Sequence, residues 1–187
     1  ANAVDPVFRD RNLIGLTVYS AKGTVEILPA HTLTAYCEMA KSGEYRGFAT
    51  LIGLSYQVQN DETVGKWLGL QGAPRGILIR NSPYGETGHS FLKPLDLLLS
   101  MDGHDIDSHG YYRHPHYGQL HFFNIITEGH TIGDTVKVSL LRAGNLVEME
   151  MPLLGFPLKH RLIPYWRTDY TPAYLVAGGL VFRELDY

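Results

Sequence analysis

Histidine is the residue type in this chain whose spacing first suggests chemistry. Five of its nine histidines lie between positions 104 and 121: His104, His109, His114, His116 and His121. His114 and His116 could bring two imidazoles near one ion, because zinc is commonly bound by histidine. However, the chain has no Cys pair and no His-Glu-x-x-His motif, which most zinc sites would require. We therefore expect no metal and no cofactor, and we interpret these histidines as solvated loop residues that touch a ligand or a neighbouring domain.

Other candidate reactive groups are better explained by structure than by catalysis. Cys37, the single cysteine, falls on the apolar stripe of a predicted helix, and a buried thiol of this kind is inert. Asp96 and Asp102 resemble a carboxylate pair, but the first precedes a strand and the second belongs to an Asp-Gly turn. Turn chemistry therefore explains these carboxylates better than acid–base catalysis does.

Length and charge exclude several functional classes. The 187 residues suffice for one complete domain with substantial appendages. The net charge is −3 and the basic residues are scattered, so we do not expect a nucleic acid partner. No apolar run approaches the roughly 20 residues of a membrane helix, and we expect no membrane span. Both ends look like those of a fragment, and the lone cysteine does not decide the redox compartment.

The first third of the chain predicts a hairpin followed by a helix. Residues 13–19 and 24–28 are rich in β-branched and aromatic residues on either side of a Gly-containing turn. Leu33, Tyr36, Cys37 and Ala40 then share one face of a helix over residues 31–41, which Ser-Gly ends.

The middle of the chain alternates between strands and short helices. We predict strands over 51–59, 76–80 and 95–101, and a short helix capped by Asn60 or Asp61. Residues 119–127 place apolar side chains at helical spacing, and the following Gly129 predicts the end of that helix.

The last part predicts two further strand pairs. Residues 136–141 and 146–153 flank 143–145, a turn in which Gly and Asn tolerate positive φ. Residues 173–182 predict another strand pair, after a stretch rich in proline and aromatic residues. The fold class is therefore mainly β with two or three helices, an α+β arrangement.

Residues 92–106, Leu-Lys-Pro-Leu-Asp-Leu-Leu-Leu-Ser-Met-Asp-Gly-His-Asp-Ile, resemble the PDZ signature of a loop, a buried strand and an Asp-Gly turn. The resemblance implies a partly open antiparallel β-barrel. Its free strand edge would accept an extended peptide as an added strand.

The order of the motifs is similar to the C-terminal part of an HtrA-type (Deg) serine protease of the plant-like branch. The similarity is carried by residues 27–30 (Ile-Leu-Pro-Ala), 47–54 (Gly-Phe-Ala-Thr-Leu-Ile-Gly-Leu), 159–164 and 171–182. It implies the end of a protease domain at 1–43, a PDZ domain at 44–155, and a linker with the start of a second PDZ-like domain at 156–187.

The nucleophile motif of that family, Gly-Asn-Ser-Gly-Gly, occurs nowhere in this chain. We therefore expect no peptide-bond hydrolysis from these residues, although the resemblance implies that the parent protein is a serine endopeptidase. A free-standing PDZ adaptor and, from another class, a metal-dependent enzyme using the histidine loop remain as alternatives.

We predict a peptide site where residues 51–54 turn into the following strand, because N–H groups of a Gly-containing turn can bind a terminal carboxylate. The predicted site residues are Leu51, Ile52, Gly53 and Leu54, with Phe122, Phe123 and Ile126 of the second helix across the groove. The expected partners are C-termini of peptides or unfolded proteins, the chain's own protease domain and a homo-oligomer formed through it. The resemblance also implies a role in protein quality control, in the periplasm or cell envelope or in an organelle.

Overall fold

The computed structural model describes residues 4–21, 23–44, 46–49, 51, 53–84, 87–115, 117–155, 171 and 173–183. These residues form thirteen strands and three helices, in the order β1 (Pro6–Arg9), β2 (Asn12–Ala21), β3 (Thr24–Pro29), α1 (Ala30–Ser42), β4 (Ser55–Val58), α2 (Glu62–Trp67), β5 (Ile77–Asn81), β6 (Leu97–Met101), β7 (His104–Asp105), β8 (Tyr111–His114), β9 (Gly118–His121), α3 (Phe123–Gly129), β10 (Thr135–Arg142), β11 (Asn145–Pro152), β12 (Tyr174–Ala177) and β13 (Leu180–Arg183). The predicted mainly β fold with two or three helices is confirmed, and its sheets are open.

The N-terminal strands form an antiparallel sheet in the order β1-β2-β3. The predicted hairpin is confirmed, with β2 paired to β3 from Gly15 opposite Pro29 to Ala21 opposite Thr24. Gly15 is required by close packing, because a Cβ there would lie 2.3 Å from the Leu28 carbonyl oxygen. α1 then follows directly and ends at Gly43, whose φ of 71° suits a glycine.

The predicted burial of α1 is wrong for Cys37, which is exposed. The buried residue of this helix is Met39, and His31 and Ala35 on the same stripe are half-buried. Residues spaced by four share one face of a helix, so α1 turns this stripe, and not the one through Cys37, towards the rest of the chain.

The largest sheet has the strand order β11-β10-β6-β5-β4, with β7 paired to β6. β6 lies at its centre, and Leu97, Leu98 and Met101 are fully buried. The other fully buried large side chains come from neighbouring strands, loops and α3: Ile77, Ile79, Leu92, Ile106, Phe122, Ile126, Leu140, Met151 and Leu153. Because apolar burial is the main favourable term in folding, this core holds the large sheet and α3 together.

The predicted strand over 51–59 is wrong at its beginning, since β4 spans only Ser55–Val58. Leu51, Gly53 and Leu54 lie in a tight turn, in which the Leu54 N–H donates to the Leu51 carbonyl at 3.1 Å. Gly53 has a φ of 86°, a value that strand residues do not adopt. The turn at Gly53 therefore interrupts the strand that the alternating apolar residues predict.

The predicted helix over 119–127 is also wrong at its beginning. Residues 118–121 form β9, which pairs with β8 from Tyr111 opposite His121 to His114 opposite Gly118. α3 starts only at Phe123 and ends at Gly129, the residue predicted to end it. Pairing across a hairpin outweighs helical periodicity in this segment.

The remaining hairpins agree with the sequence, with one difference. β10 pairs with β11 around a turn whose positive φ values belong to Ala143 and Gly144, at 49° and 80°, and not to Asn145. The predicted strand pair over 173–182 is confirmed as β12 and β13. Residues 156–170, which include the motif at 159–164, lie outside the described residues.

Two carboxylates, Asp61 and Asp96, hold loops beside the large sheet through hydrogen bonds. Asp61 caps α2 by accepting hydrogen bonds from the N–H groups of Val64 and Thr63, which lower its pKa. Asp96, only 1% exposed, accepts from Arg142 Nε at 2.8 Å and from the Lys93 N–H at 2.7 Å. The hydrogen bond to Asp96 raises the pKa of the Arg142 guanidinium. Asp96 is therefore a structural carboxylate.

No helix among the described residues is long and apolar enough to cross a membrane.

Asp96→Asn tests how much the ion pair between Asp96 and Arg142 contributes to the stability of the fold. The change leaves Arg142 facing a neutral amide inside a site built for a carboxylate, and we expect the free energy of unfolding to fall by about 3 kcal/mol. Urea denaturation followed by circular dichroism measures the loss. Glu38→Gln, which removes one partner of an exposed ion pair with Lys41, is the control and should cost less than about 0.5 kcal/mol. If Asp96→Asn and Glu38→Gln lower the free energy of unfolding equally, Asp96 is not the structural carboxylate proposed here.

Candidate functional site

The turn at residues 51–54 leads into β4 and carries four of the predicted site residues. Leu51 and Leu54 are buried, at 4% and 7% exposure, while Gly53 is exposed between them. Ile52 lies outside the described residues. Since the Leu54 N–H is used inside the turn, a carboxylate bound here would take its hydrogen bonds from other N–H groups of the turn.

Gly53 is held in place by a second contact besides its backbone angle. A Cβ at this position would lie 3.0 Å from Cγ of Pro83, which belongs to the loop after β5. The positive φ and the proline ring therefore both require glycine here.

β4 is the last strand of the large sheet and pairs with β5 on one side. Its side chains are mostly exposed, and Val58 keeps 39% of its surface accessible. A terminal strand of this kind directs backbone N–H and C=O groups away from the sheet, where another extended segment can pair with them.

The helix residues predicted to line the pocket divide into two groups. Phe122 and Ile126 are both 0% exposed and lie in the core, so they offer no surface to a ligand in this structure. Phe123 is only partly buried and packs against that core. The difference follows from helical geometry, because Phe122 and Ile126, four residues apart, point to the same side of α3.

Tyr56, which the sequence analysis did not single out, connects β4 to the start of α3. Its ring lies nearly perpendicular to those of Phe122 and Phe123, with centroid distances of 5.2 and 6.0 Å. Its hydroxyl lies 2.7 Å from Nε2 of His121. The alternating pattern of β4, which sets Tyr56 two residues beyond the turn, was the available signal for this residue.

Among the described histidines of residues 104–121, His121 is the one that lies beside the predicted groove. Its Nδ1 accepts a hydrogen bond from the Phe123 N–H at 3.4 Å, and its carbonyl accepts one from the Asn124 side chain at 3.1 Å. These bonds serve the start of α3, where the N-cap residue Phe122 makes no side-chain hydrogen bond. Burial lowers the pKa of His121, which favours the neutral form of the imidazole.

The other described histidines have separate roles. The ring of His104 lies 5.0 Å from that of Tyr112, and His114 Nε2 lies 3.5 Å from the Glu128 carboxylate. Nδ1 of His109 lies 3.2 Å from the Ser108 hydroxyl. His104 and His114 line one cavity of about 390 Å³. Its other lining residues are His31, Asp102, Tyr112, Ile125, Glu128 and His130.

Two further groups in that cavity have clear partners. Asp102 accepts from the Lys137 N–H at 2.8 Å and pairs with His130, and its φ of 48° belongs to the predicted Asp-Gly turn. Burial, with Glu128 nearby, raises the pKa of Tyr112 to about 12. Within the described residues, which leave out His116, no three His, Cys, Asp or Glu side chains are placed to hold a metal ion.

An apolar cavity of about 500 Å³ lies between the N-terminal sheet and α3. Ile27 and Leu28 of β3 line one side, and Asn124 and Thr127 of α3 line the other. The β1–β3 sheet therefore approaches the side of α3 that is turned away from the core.

Comparison with known proteins gives two relatives from Arabidopsis thaliana, both named as Do-like proteases. The chain is 30% identical to Do-like 13 over 145 residues, which is 78% of this chain and 29% of that protein. It is 29% identical to Do-like 3, named as mitochondrial, over 148 residues, which is 78% of this chain and 25% of that protein. The chain thus spans less than a third of the length of either relative. No family model matches it.

Among solved structures, the chain is similar to the HtrA-type protease AlgW with a decapeptide and with a tripeptide. The first has a TM-score of 0.46 and 17% identity, covering 79% of this chain and 44% of that one. The second has a TM-score of 0.48 and 20% identity, covering 77% and 46%. On the sequence similarity to the Arabidopsis proteins, this chain is an HtrA/Deg-type protease-related protein.

Proposed function

We propose that this chain is a peptide-binding PDZ module that recognises apolar C-termini by adding them as a strand to β4. One observation supports the proposal above the others: an edge strand begins directly after a turn whose Gly53 has a φ of 86°. The edge offers main-chain hydrogen bonds to an extended peptide, and the turn offers N–H groups where that peptide would end.

Specificity for an apolar terminus is supported by what surrounds this turn. Leu51 and Leu54 direct their side chains into the core beside it, and Phe123 is the partly exposed aromatic residue of α3. An apolar terminal side chain between the turn and α3 would gain about 25 cal/mol for each Å² removed from water. Phe122 and Ile126 would support this pocket from the core without touching the ligand.

The proposal includes no catalysis by this chain. It lacks the Gly-Asn-Ser-Gly-Gly motif, and the groups expected to activate a serine would lie in another part of the parent protein. We propose that the parent is a serine endopeptidase, and that the module binds termini of unfolded proteins for it. Contacts with the protease domain, and a homo-oligomer formed through that domain, belong to the same proposal.

The role of the terminal carboxylate is tested with a fluorescein-labelled decapeptide that ends in valine. Replacing its free carboxylate by an amide removes charged hydrogen bonds to the turn, and we expect binding to weaken by about 1.5 to 3 kcal/mol. Fluorescence anisotropy titrations of both peptides into the full chain measure the difference. If the two peptides bind alike, recognition does not involve the terminus; if neither binds, the proposed function fails.

The turn itself is tested by Gly53→Val, which we expect to abolish binding of the valine-terminated decapeptide. The side chain would meet the Pro83 ring and would strain a backbone with positive φ, so that the N–H groups of the turn are displaced. The measurement is the same anisotropy titration, with circular dichroism to show that the variant is folded.

Gly72→Val is the matched control for that variant. Gly72 has a φ of 87° and is exposed. A Cβ added at this position would have no other atom within 4 Å. It carries the same backbone strain away from the turn, so its peptide affinity should stay unchanged. A folded Gly53→Val chain with wild-type affinity would show that the turn is not the carboxylate site.

A further inference from the structure

The hydrogen bond between Tyr56 and His121 lies where the proposed groove meets the start of α3. Tyr56 belongs to β4 and His121 ends β9 immediately before the helix, so the 2.7 Å contact joins the two sides. Aromatic rings surround the pair, with the His121 ring 4.8 Å from Phe123 and 5.6 Å from Tyr111. Both residues are half-buried.

The hydrogen bonds of His121 determine which of its ring nitrogens carries the proton. The Phe123 N–H points at Nδ1, and a backbone N–H can only donate, so Nδ1 must accept. A neutral imidazole has one N–H group, which is therefore on Nε2 and donates to the Tyr56 oxygen. It follows that the Tyr56 hydroxyl acts as acceptor in this bond and retains its own proton for a second partner.

We propose that the Tyr56 hydroxyl is a specificity determinant of the peptide site, donating its proton to an amide oxygen such as that of an asparagine side chain in the bound peptide. The inference rests on the proposed function and deepens it. His121 is the positioning residue, since it holds the phenol oxygen and leaves the hydroxyl proton free to point away from it.

The aromatic surroundings explain why such a bond would discriminate between peptides. A polar group without a hydrogen-bond partner destabilises a complex when its surroundings are apolar. A hydrogen bond in the same surroundings stabilises the complex more than it would in water. A peptide with leucine in place of asparagine leaves the hydroxyl proton unpaired in the complex. The ligand class is therefore peptides that carry a side-chain acceptor close to an apolar C-terminus.

The test compares matched decapeptides that end in valine and carry either asparagine or leucine at one of the three preceding positions. Affinities are measured by fluorescence anisotropy for the wild-type chain and for Tyr56→Phe, which keeps the ring contacts and removes the hydroxyl. At one position we expect the preference for asparagine over leucine to fall about threefold to tenfold in the variant. Tyr174→Phe, in an exposed tyrosine of β12, should leave the preference unchanged.

The outcomes separate this inference from the proposed function. If no valine-terminated peptide binds the wild-type chain, both fail. If peptides bind but the preference is the same with and without the hydroxyl at all three positions, Tyr56 is not a specificity determinant and the binding module stands.

A second measurement is independent of whether Tyr56→Phe folds. Nitrogen-15 NMR of the wild-type chain at pH 7 should show His121 neutral with its proton on Nε2. A proton on Nδ1 alone would overturn the inference, because Nε2 would then accept the hydroxyl proton of Tyr56 and that proton would not be available to a peptide.

Discussion

The buried carboxylate of Asp96 is the constraint on which the position of the candidate site depends. At 1% exposure it needs a cation and hydrogen-bond donors, which Arg142 and the Lys93 N–H supply. The same loop exchanges backbone hydrogen bonds with β5, where the Ile79 N–H donates to the Asp96 carbonyl and the Leu95 N–H to the Ile79 carbonyl. β5 pairs with β4, so the Asp96–Arg142 ion pair helps to fix the strands that end in the edge strand β4.

Two weaker restraints then shape the site on that framework. Pro83, in the loop after β5, occupies the space that a Cβ at position 53 would need, so a side chain there would collide with the proline ring. On the other side, His121 serves the first turn of α3 with both its ring and its carbonyl, and holds the Tyr56 hydroxyl. The turn, the edge strand and the helix are therefore positioned by different elements, each attached to the same core.

Much of the fold could be predicted because its local signals agree with its long-range contacts. The buried strand β6, the cap at Asp61 and the helix end at Gly43 follow from apolar runs and from the backbone preferences of Asp and Gly. The predicted strand and helix boundaries were wrong where the local pattern conflicted with a turn or with a long-range pairing. The 51–54 segment has a strand pattern but forms a turn, and residues 119–121 begin the predicted helical pattern but belong to β9, which pairs with β8.

The candidate site was predictable only in part, for a related reason. Periodicity shows that Phe122, Phe123 and Ile126 share a helix, but it does not show which side of that helix meets the sheet. Tyr56 and His121 come together across 65 positions of sequence, and no local pattern indicates such a contact. Cys37 illustrates the same limit, because its helix was predicted correctly while its face was not.

The proposed function requires that a peptide adds to β4 as a strand, with its terminus at the 51–54 turn. Intermolecular NOEs between an isotope-labelled chain and an unlabelled valine-terminated decapeptide would locate the bound peptide. We expect NOEs between the peptide backbone and residues 55–58, with the terminal valine near Gly53 and Phe123. NOEs to the apolar cavity beside β3, or to the β8–β9 hairpin, with none to β4, would contradict it.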